Sequence, residues 1–102
     1  MNRRVLRQAQ ELQAKLAKAQ EELGKLTVEA SAGGGAVKVV ATGHQKIQSV
    51  KISPEAVDLK DISLLEDLVL AATNEALEKS QELAQKSMGN ITSGFKIPGL
   101  SF

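Results

Sequence analysis

The chain lacks cysteine, tryptophan and tyrosine, and its 102 residues include one histidine, two prolines and two phenylalanines. Without cysteine there can be no disulfide, thiolate metal site or thiol nucleophile. A single imidazole, His44, cannot assemble a Ser-His-Asp relay or a histidine metal cluster; in a Gly-rich turn it reads as a solvated turn residue. Enzymatic activity is therefore not expected, and the residues imply no metal, cofactor or small-molecule substrate. No apolar run approaches the ~20 residues that span a bilayer, and Arg3 and Arg4 lead into Gln and Glu rather than a signal-peptide core. A cytoplasmic protein without a membrane partner is the expectation. A chain this short makes one domain with a modest core, which self-association would help.

What is present is charge, unevenly placed. The net charge of +1 hides nine basic against four acidic side chains through residue 54, and two against eight from 55 to 82. Charge segregated in this way points to surfaces with different partners.

From about Asn2 to Leu26 the sequence reads as one helix, rich in Gln, Ala, Leu, Glu and Lys and free of proline. Val5, Ala9, Leu12, Leu16, Ala19, Leu23 and Leu26 alternate steps of four and three, a coiled-coil-like seam suited to one partner helix. Beside it runs a charged stripe, Arg4, Arg7, Glu11, Lys15, Lys18, Glu22 and Lys25, in which Glu11–Lys15 and Glu21–Lys25 are favourable i,i+4 pairs. Arg3, Arg4 and Arg7 crowd the helix N-terminus, where the helix dipole disfavours cations; such placement suggests a polyanionic partner.

The helix should fray near Gly24. Leu26, Val28 and Ala30 then alternate with Thr27, Glu29 and Ser31 as a first strand, with a turn over 32–35. Three glycines could cradle a phosphate, but no Lys-Ser/Thr pair or further spaced glycine opens a helix, so a hairpin turn is the better reading. A second strand over 36–42 and a third over 46–53 flank a tight turn at Gly43-His44. With that two-residue turn, Val40 faces Ile47 and Val37 faces Val50. Val37, Val39, Ala41, Val50 and Ile52 then share the core face, and Val40 and Ile47 form an apolar pair on the other.

Ser53-Pro54 suggests a short turn, and Ser63-Leu64-Leu65-Glu66 a capping box that opens a second long helix. Its first half, with Leu64, Leu65, Leu68, Val69, Leu70, Ala71 and Ala72, is apolar nearly all round, more than a three-stranded sheet can cover. A dimer interface through these residues with Val40 and Ile47 is expected. Gly89 is the expected C-cap, so residues 1–89 form the domain and 90–102 a flexible tail.

A helix, a three-stranded meander and a second helix make an α+β domain, and the chain resembles the YbaB/EbfC family of bacterial nucleoid-associated proteins. The resemblance rests on Leu6-Arg7-Gln8-Ala9-Gln10, Gly34-Gly35-Ala36-Val37-Lys38-Val39, Val50-Lys51-Ile52-Ser53-Pro54, Leu65-Glu66-Asp67-Leu68-Val69, Asn74-Glu75-Ala76 and the Gly/Pro-containing tail. It implies a tweezer-shaped homodimer that binds double-stranded DNA at the nucleoid, organising the chromosome or modulating transcription. By that likeness Arg3, Arg4, Arg7, Lys15 and Lys18 are the favoured DNA contacts, with Lys79 and Lys86 as lesser candidates on an acidic helix. The chain departs from the family in having almost no leader before the first helix. Few arginines and no aromatic wedge on the helices favour phosphate contacts over base readout. The rival reading is a coiled-coil-like protein–protein adaptor that does not touch DNA.

Overall fold

The computed structural model describes residues 2–93. They form the expected α-β-β-β-α order: α1 (Arg3–Leu23), β1 (Thr27–Ala32), β2 (Val37–Thr42), β3 (Ile47–Ile52) and α2 (Ile62–Ser93), with a 3-10 turn at Pro54–Ala56. The described residues are elongated, with extents of 69 × 23 × 16 Å.

α1 begins where Asn2 Oδ1 accepts the Arg4 amide at 2.9 Å, satisfying one of the donors a helix start leaves open. It ends at Gly24, short of Leu26. The amides of Lys25 and Leu26 turn back to the carbonyls of Glu22 and Leu23, tightening the last turn and releasing the chain into β1.

The strands form one antiparallel sheet in the order β1-β2-β3. Gly33, Gly34 and Gly35 turn β1 into β2 at φ of 66°, 68° and 94°, a left-handed region that other residues enter only at a cost. Ala30 of β1 and Val37, Val39 and Ala41 of β2 point inward against Ala72 and Ala76 of α2. Alanine on the helix side lets α2 lie close to the sheet. Val28, Ala32, Leu65, Leu68 and Val69 pack around this core.

The β2–β3 register differs from the sequence expectation. The connection is a three-residue loop, Gly43 to Gln45: the Gln45 amide donates to the Thr42 carbonyl (3.1 Å) and the Thr42 amide to that of Lys46 (2.8 Å). Gln45 takes φ 59°, the left-handed residue that loops of this length use after a type I turn. An irregularity between Val40 and Ala41 then sets Ala41 opposite Ile47, Val40 opposite Ser49, Val39 opposite Val50 and Val37 opposite Ile52. Val40 and Ile47 are therefore not a pair.

A buried serine holds this loop in place. Ser80 on α2 donates to the Thr42 carbonyl at 2.5 Å and accepts from the Gln45 amide (3.1 Å) and side-chain nitrogen (3.3 Å). All of its hydrogen-bonding capacity is used, as burial of a hydroxyl requires.

Both ends of α2 depart from the sequence pattern. Asp61 caps it, with Oδ1 accepting the Leu64 amide at 3.3 Å and the Ser63 hydroxyl at 3.1 Å. A carboxylate at the positive end of the helix dipole wins over the Ser63 hydroxyl, which bonds to the cap instead. Replacing Asp61 with Ala should cost about 1 kcal/mol in urea unfolding, and Ser63→Ala only a few tenths, approximately. At the other end the helix continues through Gly89 to Ser93, so Gly89 is not its cap. The expectation of a flexible tail lies, from residue 94 onward, outside the described residues.

Candidate nucleic-acid interface

α1 packs against α2 and meets its second half near Met88. Leu23 is buried at its base, Leu12, Leu16 and Ala19 are half-buried along the seam, and the Gln20 side chain meets the Met88 sulfur at 3.8 Å. Burying one stripe leaves the opposite one in water. Arg3, Arg4, Arg7, Lys15 and Lys18 are all exposed, spread over roughly 22 Å of helix at 1.5 Å per residue. No acidic side chain occupies the first turn of α1. Lys18 lies 4.0 Å from Glu22, an exposed i,i+4 contact that a phosphate could readily displace. The Glu21–Lys25 pair expected from spacing does not form within the helix, because Lys25 lies beyond its end.

The two lesser candidates on α2 differ. Lys79 Nζ donates to the Glu29 carbonyl on β1 at 3.0 Å and sits 3.7 Å from Glu75 Oε1, so its charge is committed to the edge of the sheet. A lysine placed there also blunts an open strand edge. Lys86 is exposed near the far end of α2.

The turn at Gly33–Gly35 borders an open cavity of about 320 Å³ that Ser53, Glu55 and Ala56 also line. The Ser53 hydroxyl bonds to the Glu55 carboxylate and, with the Glu55 backbone amide, holds that carboxyl below its usual range. A persistent anion here works against phosphate, which fits the hairpin reading of the glycines.

The apolar surface lies elsewhere than the sequence placed it. α2 packs across β1 and β2, so β3 has its inward face uncovered: Val50 is 44% and Ile52 41% exposed, although both were expected in the core. Ile52 joins Leu65, Val69, Leu70 and Thr73 around a groove of about 430 Å³ with Glu66 at its margin. Of the residues expected at a dimer interface, Leu65 and Val69 line this groove, Ile47 and Leu64 are exposed, and Val40 and Leu68 are half-buried. Ala72 is fully buried inside its own chain and has no surface to offer a partner. Leu70 is exposed on the same helix half, and Val50 and Ile52 add to this apolar surface because one helix covers only about two strands of a sheet.

No group of three or more His, Cys, Asp or Glu side chains among the described residues could hold a metal ion, and no helix among them is long and apolar enough to cross a membrane. Fold and surface define an elongated α+β protein with a basic helical face above an apolar-flanked sheet, a class suited to binding rather than to enclosing a small substrate. Comparison with known proteins agrees: residues 1–95 match the YbaB/EbfC DNA-binding family. A nucleoid-associated protein of Pelotomaculum thermopropionicum is 50% identical over 97 residues, 95% of this chain and 92% of that protein. One from Bacillus cereus is 56% identical over 87 residues, 85% of this chain and 80% of that protein. The crystal structure of an uncharacterized Helicobacter pylori protein has the same fold, with a TM-score of 0.72 at 17% identity over 82% of this chain and 88% of that one. This chain belongs to the YbaB/EbfC DNA-binding family.

Proposed function

We propose that this protein binds duplex DNA as a homodimer at the nucleoid, mainly through phosphates, and so organises the chromosome or modulates transcription. The observation that carries the reading is the exposed cationic stripe on α1, set on a helix whose only buried residue is Leu23 at its base. Arg3, Arg4, Arg7, Lys15 and Lys18 are the proposed contacts and Lys86 a secondary one; Lys79 is set aside because it is bound to β1 and Glu75. Phosphate contact needs only cations at helical spacing, whereas base readout needs a fitted groove element. The homodimer reading draws on the uncovered apolar face of β3 and its groove with α2, which a second copy could close.

The test is DNA binding measured across salt concentrations. Each neutralised phosphate contributes about −0.9 to the slope of log affinity against log salt. Replacing Arg4 and Arg7 with Ala removes four cations from a twofold dimer, so the slope should flatten by roughly 3 to 4, with affinity falling by a similar factor for every DNA sequence. The fold should be unaffected, since neither side chain is buried. An unchanged salt slope would remove α1 from the DNA contact and favour the adaptor.

A further inference from the structure

The β2–β3 loop touches both helices, and it does so at the base of α1. Gly43 lies against Leu23: a methyl group at its Cα would stand 2.6 Å from Leu23 Cγ and Cδ1. Next to it, His44 Nε2 donates to the Gln20 carbonyl at 2.6 Å, a shorter bond than the 3.3 Å one that the same oxygen accepts from the Gly24 amide. The imidazole lies over Gly24, where a methyl group would come within 2.8 Å of Cε1 and 2.9 Å of Nδ1. On its other side the loop is pinned to α2 by Ser80. His44 is thus exposed in its turn, as the sequence suggested, and its ring also bonds to the last turn of α1.

We infer that this loop is the joint that fixes the direction of α1 relative to the sheet and α2, and that His44 is a positioning residue for the DNA contact. The inference rests on the proposed role of α1. α1 has a thin seam and one buried side chain, so little else restrains it. Arg4 lies nineteen residues from Leu23, roughly 28 Å along the helix, and a tilt of about 10° at the base would carry it about 5 Å. That exceeds the ~3.4 Å axial spacing of phosphates along one DNA strand. A loosened joint leaves the cations in register with phosphates for only part of the time, and apparent affinity falls by that fraction.

Three variants separate the joint from its surroundings. His44→Ala removes the donor. Gly24→Ala leaves the imidazole in the chain but displaces it from the Gln20 carbonyl; at φ −65° and ψ −19° the backbone there accepts alanine, so the fold should survive. His44→Gln keeps an N–H donor the same number of bonds from the main chain and should rescue. Because the chain has no cysteine, spin labels placed through Gln13→Cys on α1 and Ser31→Cys on β1 report one distance, read after dilution with unlabelled protein. His44→Ala and Gly24→Ala should broaden or shift that distance and weaken DNA binding about three- to tenfold, as expected for one net hydrogen bond. His44→Gln should stay close to the unmutated protein in both. A distance distribution unchanged by both disruptive variants overturns the joint, and so does a changed distribution with DNA affinity intact while Arg4→Ala/Arg7→Ala still weakens binding. If the arginine variant also binds DNA normally, the DNA role of α1 has failed, and with it the positioning role of His44; the spin-label distance still shows whether the joint itself exists.

Discussion

Ile52→Glu combined with Leu70→Glu should give a folded monomer in sedimentation, where the unmutated chain should sediment as the proposed dimer. Both residues border the groove between β3 and α2, and at 41% and 61% exposure in the single chain either can carry a carboxylate to water without disturbing the core. In a twofold interface each substitution occurs twice, and every unpaired buried charge costs several kcal/mol. At 1.4 kcal/mol per tenfold, the dissociation constant should rise by more than about a thousandfold. The positions matter for the interpretation. Leu68→Glu, the choice that the sequence alone suggests, would confuse folding with association, because Leu68 packs on the core and against the Gly33 turn. DNA affinity should fall with the dimer, since a monomer offers one cationic helix instead of two. A double variant that remains dimeric would move the interface away from this groove.

The largest loss of stability is expected from Gly43→Ala. The added methyl group would meet Leu23 Cγ and Cδ1 at 2.6 Å and press closer still on the Leu23 carbonyl oxygen. Neither side can easily yield. The Gly43 amide is tied to the Leu26 carbonyl at 3.0 Å, and Leu23 is the buried residue that seats α1. Overpacking against backbone belongs at the upper end of the usual 1–3 kcal/mol, so a loss of about 3 kcal/mol is expected, lowering the melting temperature by roughly 15 °C or more for a domain of this size. Gly34→Ala is the contrast: its methyl group would have open space, leaving only the left-handed φ of 68° to cost roughly 1–2 kcal/mol. Thermal melts followed by circular dichroism decide it. Gly43→Ala melting within a few degrees of the unmutated chain would mean that the loop can move away from α1.

The features legible in the sequence were those set by neighbours along the chain. The three-and-four spacing from Val5 to Leu23 determined a helix with one apolar stripe and therefore a cationic stripe beside it. Alternation over Val37, Lys38, Val39, Val40 and Ala41 determined a half-buried strand, the glycine triplet determined a hairpin turn, and the αβββα order followed, as did the likeness to the YbaB/EbfC family. These signals are local, because helix and strand periodicity is a property of ten to twenty consecutive residues.

Tertiary structure decided what depends on how those elements meet. One loop residue more than expected, with Gln45 in the left-handed region, reset the partner of Ile47, and the further one-residue shift between Val40 and Ala41 reset those of Val50 and Ile52. A register is a count across two strands, so a single residue changes every pair. The position of α2 over β1 and β2 alone turned Val50 and Ile52 from core into surface and buried Ala72, which no periodicity could reveal because all of them are simply apolar. The same packing committed Lys79 to the Glu29 carbonyl and brought His44 onto the Gln20 carbonyl, 24 residues away in the chain. Long polar side chains take whatever partner packing brings within about 3 Å, and only the assembled structure says which partner that is.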